Sequence, residues 1–196
     1  MRKPRNNKPV SRLDRAGAAP AGRPASHLWI YVVTGIVLLL TVFQAYGPAL
    51  WGEFLFDDAY LPFADPNIGD MSLRAWTGTR PLLMISFWIN HRFFGNEPFW
   101  LHVFNVLLHF VNALLVFFLA RRLLARVGEN GPERDLLAAI AGGVFLLHPI
   151  QTESVAYIAS RSEVLSVMFF YGALAVFLYR REEAISFREA AVVLAL

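Results

Sequence analysis

The feature that most constrains this chain is an almost entirely apolar run, from Leu28 to Gly52, that contains no charged residue. About 20 consecutive apolar residues are enough for a helix to cross the hydrocarbon core of a bilayer, and this run is longer. A cleaved signal peptide has an apolar region of only about 7–15 residues, and here Pro48 would directly follow the small-residue cleavage site at 45–47. The run therefore predicts an uncleaved membrane helix.

The composition indicates that the solvent of this chain is largely lipid. Hydrophobic residues make up 56% of the 196 residues, including 17 Phe and 5 Trp, whereas charged residues make up 17%. A soluble domain of this size could not bury so much apolar surface. The absence of cysteine excludes disulfides and thiolate metal sites. We expect an all-α fold: a polytopic transmembrane helix bundle with interfacial helices in its first outer loop.

Four membrane spans and the beginning of a fifth follow from the apolar runs. The second run has no charge between Glu97 and Arg121 and opens with Pro98, a favourable residue for the first turn of a helix. The fourth follows Ser160 to Glu163, the pattern of a capping box. The fifth is too short to cross a bilayer, so we expect this sequence to be the N-terminal piece of a longer protein. The predicted spans are about 28–50, 98–120, 136–148 and 163–179, with the start of a fifth at 190–196, all within a membrane domain of 28–196.

The orientation follows from the distribution of Lys and Arg. Residues 1–27 carry seven basic side chains and one acidic side chain, and their composition predicts a disordered tail. A basic tail can bind nucleic acid, but beside a membrane span it marks the cytoplasmic side, so we expect no nucleic-acid partner. With the tail inside, the inner segments hold 14 Lys and Arg and the outer segments four. We predict a multi-pass protein of a bacterial inner membrane with a cytoplasmic N-terminus.

The first outer loop, 51–97, contains one more apolar stretch, which could be a membrane span or a helix in the membrane interface. The apolar part, 81–89, is too short to span a bilayer, and polar residues 90–92 close it. We predict a helix over about 80–94 that lies in the membrane interface with its aromatic side chains toward lipid.

Two adjacent carboxylates, Asp57 and Asp58, lie in this loop just beyond the first span. Like charges side by side disfavour each other's ionisation, which suits one of them to accept a proton near neutral pH. The alternative is a solvated turn in an acidic loop that also contains Asp65 and Asp70. Carboxylate oxygens suit Mg²⁺, Mn²⁺ or Ca²⁺, but no ligand spacing defines a metal site, so we assign no metal ligands and leave Mg or Mn as the candidate cofactor.

Polar side chains recur along one face of the second span. They are His102, Asn105, His109 and Asn112, which fall within an arc of about 80° on a helix. Intramembrane polar groups turn toward the bundle interior or a water-filled cavity. Two interpretations stay open: hydrogen bonds between helices, or ligand contact, for which His102 is the best candidate because it is nearest the outer face.

Three side chains in the last outer connection are spaced by four. A continuous helix over 150–162 would place Glu153, Tyr157 and Arg161 on one face. The planar fork of an arginine suits a phosphate group, and Arg161 is the one basic residue of this connection. The alternative is a structural ion pair between Arg161 and Glu153 or Glu163.

Long stretches of the chain resemble a known family. FDDAYLPFADPNI, then RPLLMISFWINHRFFGNEPFWLHVFNVLLHFVNALLVFFLARRLL, then AAIAGGVFLLHPIQTESVAYIASRSEVLS are similar to the membrane half of the transmembrane and tetratricopeptide-repeat protein O-mannosyltransferases. The resemblance covers about residues 54–180, and HPIQTESVAYIASRSE is its most specific part. It implies a C-type glycosyltransferase-like fold, further membrane helices and a C-terminal array of tetratricopeptide repeats.

The resemblance also implies an activity. It predicts transfer of a sugar, with mannose expected, from a polyprenyl-phosphate donor in the membrane lipid to a protein Ser or Thr. By resemblance, Asp57 or Asp58 is the base, Arg161 and Arg80 lie near the donor phosphate, and His148 and Glu153 shape the same cavity. We expect the fragment alone to be inactive. The rival functions are a non-catalytic membrane anchor of a repeat scaffold and a transporter that uses the polar face of the second span.

Overall fold

The structure is a computed structural model that describes residues 28–61, 80–180 and 187–195. Within these ranges the chain forms helices and no strands, so the all-α prediction is confirmed. The predicted tail 1–27 and the acidic residues Asp65 and Asp70 lie outside the described residues. The helices are α1 (Leu28–Ala45), α2 (Gly47–Leu50), α3 (Pro81–Phe94), α4 (Pro98–Arg126), α5 (Pro132–Leu147), α6 (Thr152–Ala156), α7 (Arg161–Tyr179) and α8 (Phe187–Ala195), with short 3₁₀ helices at Phe56–Tyr60, Pro149–Gln151 and Ile158–Ser160.

Helix α4 is the centre of the bundle. It begins after Glu97 with Pro98 in its first turn, and its 29 residues give it a length of about 43 Å. Helices α1, α2, α3, α5, α6 and α7 all pack against it. Gly142 of α5 allows the closest of these approaches, because a Cβ there would lie only 3.0 Å from the carbonyl oxygen of Ala113 on α4.

Length and composition identify the helices that can cross a membrane. Helix α4 and the segment Ile158–Tyr179 each meet both requirements. A third candidate is the pair Pro132–Leu147 and Pro149–Ala156, which is bent by 47° at its break. Helix α1 is apolar but shorter. The predicted spans 28–50, 98–120, 136–148 and 163–179 correspond to α1 with α2, α4, α5 and α7. Of the predicted start of a fifth at 190–196, residues 190–195 lie in α8 and residue 196 lies outside the described residues.

The polar face of α4 lies inside the bundle, where its side chains form hydrogen bonds with backbone carbonyls of other helices. Asn112 Nδ2 donates to the carbonyl of Val164, at 2.9 Å. His109 Nε2 lies 3.0 Å from the carbonyl oxygen of Leu146, whose helix ends one residue later. For these two side chains the interpretation as interhelical hydrogen bonds is therefore correct. The His109 contact satisfies a carbonyl in the last turn of α5, which has no partner within its own helix.

The segment 150–162 is not the continuous helix that the spacing of Glu153, Tyr157 and Arg161 predicted. Helix α6 ends at Ala156, Tyr157 is extended, and α7 begins at Arg161. Asn105 Nδ2 donates to the carbonyls of Val155 at 3.4 Å and Tyr157 at 3.3 Å, which takes over part of the lost helical bonding. Asn105, a residue of another helix, therefore stabilises a break in a segment that the sequence pattern predicted to be one continuous helix.

The predicted capping box at the start of α7 is also not formed. The Ser160 side chain makes no capping hydrogen bond. The Glu163 carboxylate instead accepts a hydrogen bond from the Ser154 hydroxyl, at 3.1 Å. The reason is again the break, since it brings α6 close enough for Ser154 to compete for this carboxylate.

Candidate functional site

The acidic pair lies in the 3₁₀ helix Phe56–Tyr60, where the two carboxylates have different surroundings. Asp58 is 1% exposed. Its Oδ2 accepts the backbone N–H of Leu55 at 3.1 Å, and its Oδ1 accepts the backbone N–H of Ala159 at 2.8 Å. Asp58 therefore ties the first loop to the break between α6 and α7, about a hundred residues later in the chain.

Asp57 is exposed, and a hydrogen bond holds its backbone. Its N–H donates to the hydroxyl oxygen of Tyr157 at 2.8 Å. The pKa of Tyr157 is raised, chiefly by desolvation and then by the nearby carboxylates of Asp57 and Asp58, although the Asp57 N–H acts to lower it. The preceding residue, Phe56, has a φ of 47°, which is the one positive φ of a non-glycine residue in the described ranges. Such a conformation is strained for a bulky residue and persists only where neighbouring contacts enforce it.

His102 differs from the rest of the polar face of α4 because it has no hydrogen-bond partner. Its side chain is buried, at 4% exposure, and both ring nitrogens are unpaired. Backbone groups of Gly52 and Ala156 lie near the ring, but at geometries that do not make hydrogen bonds. A Cβ at Gly52 would come within 3.5 Å of Nε2, and the charge of Asp58 acts on the ring. A buried polar group without a partner is costly, so this imidazole is the best candidate for a ligand contact.

Arg161 is fully buried, and four hydrogen bonds enclose its guanidinium. Nε donates to Asn105 Oδ1 at 2.7 Å and Nη1 to Asn90 Oδ1 at 2.8 Å. Nη2 donates to the carbonyl of Leu101 at 3.0 Å, and Nη1 also reaches the carbonyl of Ser86 at 3.4 Å. These acceptors come from α3 and α4, so Arg161 joins both helices to the start of α7.

Aromatic rings cover both sides of the same guanidinium. Its central carbon lies 4.3 Å from the ring centroid of Phe87 and 4.6 Å from that of Phe104. Phe87 is fully buried, so the prediction that the aromatic side chains of the helix over 80–94 face lipid is wrong for Phe87. In the part of the chain that the structure describes, neither Glu153 nor Glu163 pairs with Arg161, so the interpretation as a structural ion pair is wrong. Contact between Arg161 and a donor phosphate stays a prediction, and in this conformation its hydrogen-bond donors face protein atoms.

The other predicted site residues lie at the same end of the bundle, on its surface. Arg80 is exposed and precedes α3, and its carbonyl accepts the N–H of Met84. His148 is exposed at the end of α5, with Nδ1 accepting the N–H of Ile150 at 3.2 Å. Glu153 is exposed in the first turn of α6. Among the described residues, no hydrogen bond joins any of these three side chains to Asp57 or Asp58.

The described residues provide no ready cation site. Within 28–61, 80–180 and 187–195, no three His, Asp or Glu side chains are close enough together to hold a metal ion. Both Asp58 oxygens already accept backbone N–H groups, which leaves Asp57 as the open carboxylate of the pair. The divalent cation, Mg or Mn, stays a prediction, and Asp65 and Asp70 of the same acidic loop lie outside the described residues.

Two partners of this site did not stand out in the sequence. Asn90 closes the apolar stretch of α3 and was interpreted only as the end of an interfacial helix, whereas it accepts a hydrogen bond from Arg161. Gly52 lies beside His102, since a Cβ there would come 3.5 Å from Nε2 and 3.1 Å from the carbonyl oxygen of Ala49. The available signal was a single arginine, Arg161, in the short connection between two apolar runs, because an arginine that becomes buried there requires several acceptors nearby.

Comparison with known proteins identifies relatives of this chain. The chain is 30% identical to protein O-mannosyl-transferase TMTC1 of Mus musculus over 183 residues, which is 82% of this chain and 18% of that protein. It is 37% identical to protein O-mannosyl-transferase Tmtc1 of Drosophila melanogaster over 116 residues, 59% of this chain and 12% of that protein. Protein O-mannosyl-transferase F38B6.6 of Caenorhabditis elegans is 27% identical over 164 residues, 75% of this chain and 23% of that protein.

The chain belongs to the TMTC protein O-mannosyltransferase family. It spans about a fifth of the length of the curated TMTC relatives that it matches first. No family model matches this TMTC chain. No solved structure matches it either.

Proposed function

We propose that this TMTC chain forms the membrane-embedded part of a glycosyltransferase that moves a mannosyl group from a polyprenyl-phosphate donor to a protein Ser or Thr. The observation that carries the proposal is the division between the two aspartates. Asp58 is buried and held by two backbone N–H groups, whereas Asp57 is exposed on the same short helix. One carboxylate fixes the loop and the other is free to meet a substrate.

Asp57 is the better candidate for the general base. Asp58 would have to give up two backbone hydrogen bonds before it could accept a proton, whereas the Asp57 carboxylate is open to solvent. The contact of the Asp57 N–H with Tyr157 restricts the position of this carboxylate. A base must lie within hydrogen-bond reach of the proton that it takes, so this restraint supports its role.

The proposed reaction is a single displacement with inversion. The acceptor hydroxyl oxygen attacks the anomeric carbon of the sugar while its proton passes to the Asp57 carboxylate. The bond between that carbon and the phosphate oxygen breaks, and the phosphate leaves with the electron pair. The growing charge on the phosphate requires positive groups or hydrogen-bond donors, and Arg80 is the exposed arginine at the start of α3 near this end.

His102 fits the sugar rather than the phosphate. A neutral imidazole offers one donor and one acceptor, which matches a hydroxyl group. The charge of Asp58 acts on this ring, and a negative carboxylate beside a phosphate is unfavourable.

The test is the transfer rate of the Asp57→Asn variant of the full-length protein at matched expression. Loss of a general base removes about two to four decades of rate. The assay follows sugar transfer from a polyprenyl-phosphate mannose donor to a Ser/Thr peptide. Glu53→Gln is the matched control, since it removes one exposed carboxylate from the same loop and should retain the wild-type rate. If Asp57→Asn transferred sugar as fast as the wild type, the anchor function would take precedence.

A further inference from the structure

A second charged region lies at the opposite end of the bundle, where α4 and α7 end. Arg122 Nε donates to the carbonyl of Leu178 at 2.9 Å, and Arg126 Nη2 donates to the same oxygen at 3.2 Å. Arg180 follows two residues later and stacks on Phe177, 4.3 Å from the ring centroid. We call Arg122, Arg126 and Arg180 the open arginine cluster.

A neighbouring cluster shows what the open arginine cluster lacks. Arg121 and Arg134 also share one acceptor, but that acceptor is the carboxylate of Asp135, with contacts of 2.7 and 2.8 Å. Tyr31 donates a further hydrogen bond to the same carboxylate. In the open arginine cluster an uncharged carbonyl takes the place of Asp135. In the described residues no carboxylate pairs with these three arginines, and Arg180 Nη1 is buried without a hydrogen-bond partner.

Two guanidinium groups that converge on one neutral oxygen repel each other, and a bound anion would relieve this repulsion. Arginine forks recognise phosphate oxygens well, because two parallel N–H groups can bind two oxygens. Each guanidinium uses one nitrogen on Leu178, so Arg122 and Arg126 keep further donors for a ligand.

The surroundings of the cluster fit a lipid. Helix α4 is about 43 Å long, whereas the hydrocarbon core of a bilayer is about 30 Å thick, so its last turns reach the headgroup layer. Exposed apolar side chains flank the arginines: Phe118, Leu123 and Phe177. Phosphate donors next to exposed apolar surface match a phospholipid, which presents both kinds of group.

We infer that the open arginine cluster binds the headgroup phosphate of an anionic phospholipid. This site is separate from the acidic pair, which lies at the other end of α4, and it does not depend on the proposed transfer reaction. The bound phosphate supplies the negative charge that Asp135 supplies in the neighbouring cluster.

The experiment measures thermal unfolding of the full-length protein in detergent during titration with phosphatidylglycerol, and with phosphatidylcholine of the same acyl chains. We expect phosphatidylglycerol to raise the midpoint and phosphatidylcholine to have little effect. Removing two of the charges, in Arg122→Gln with Arg126→Gln, should weaken lipid binding roughly 30-fold. Arg126→Gln alone changes an exposed side chain, so it should fold and still weaken binding several-fold.

Arg134→Gln is the matched control, because it removes one positive charge from the same end but from the cluster that Asp135 compensates. It should retain the phosphatidylglycerol response. Equal responses of the wild type and the double variant would overturn the proposal, as would an equal effect of inorganic phosphate without lipid. Glu182 and Glu183 follow in the sequence. A response that appeared only after both were changed to Gln would assign the anion to the chain itself and would also overturn the proposal.

Discussion

The charged side chains at the two ends of the bundle have different kinds of hydrogen-bond partner. At the end that holds Asp57, two buried charged side chains bind uncharged groups. Asp58 accepts hydrogen bonds from backbone N–H groups, and Arg161 donates hydrogen bonds to backbone carbonyls and side-chain amides. At the opposite end Asp135 pairs directly with Arg121 and Arg134. The difference follows from the backbone. The first end contains the break between α6 and α7, whose free backbone groups need partners, whereas α4 and α7 simply end at the second.

This difference supports the placement of the proposed transfer reaction at the end that holds Asp57. Irregular backbone at membrane depth is tolerated where protein encloses it or where it lines a cavity. The first end keeps one unpaired buried imidazole, His102, and one exposed carboxylate, Asp57, among groups that are otherwise satisfied. The second end keeps guanidinium groups at its surface. A substrate with hydroxyl groups suits the first, and an anion suits the second.

The largest expected contrast between the two ends is their accessibility from outside the cell. The chain has no cysteine, so single cysteines at Ile150 and Val127 report on one position each. These side chains are 75% and 77% exposed, which makes them a matched pair. Ile150→Cys should react with a membrane-impermeant thiol reagent in intact cells, and Val127→Cys should react only after permeabilisation. Labelling of Val127→Cys in intact cells would reverse the predicted orientation.

A large stability difference is expected between arginines of the two ends. Arg161→Met would leave the amide oxygens of Asn90 and Asn105 without their donor, and each buried unpaired group costs about 1–3 kcal/mol. Arg121→Met removes a partly exposed ion pair, worth no more than about 1 kcal/mol. Thermal unfolding in detergent should therefore show a much larger loss for Arg161→Met. Equal losses would mean that Arg161 does not hold α3, α4 and α7 together.

The smallest of these effects concerns the acidic pair. Asp58→Asn retains the shape but replaces one of the two acceptor oxygens with an NH2 group, so one of the N–H groups of Leu55 and Ala159 loses its acceptor, at a cost of about 1–3 kcal/mol. Asp57→Asn should unfold at the wild-type temperature, because its exposed carboxylate supports no backbone group. Thermal unfolding of both variants measures the difference. A loss in Asp57→Asn as large as that in Asp58→Asn would contradict the proposed division of roles.

Much of the architecture could be predicted from local pattern. The start of α4 followed from Pro98, and its buried polar face followed from the spacing of His102, Asn105, His109 and Asn112. Patterns of this kind are local, since a helix fixes which residues share a face. The break at Tyr157 could not be predicted in this way, because the groups that stabilise it, Asn105 and Asp58, lie about 50 and 100 residues away.

The sequence by itself determined that this chain is a helical membrane protein of the TMTC family with an acidic pair beyond its first apolar run, because length, apolar content and local motifs carry that information. Only the tertiary structure decided that Asp58 is buried while Asp57 is exposed, and that Arg161 binds neutral groups instead of a carboxylate. The physical reason is that burial and hydrogen-bond partners depend on which distant segments meet. Adjacent aspartates are equivalent in a sequence, and they differ once Ala159 donates its N–H to one of them.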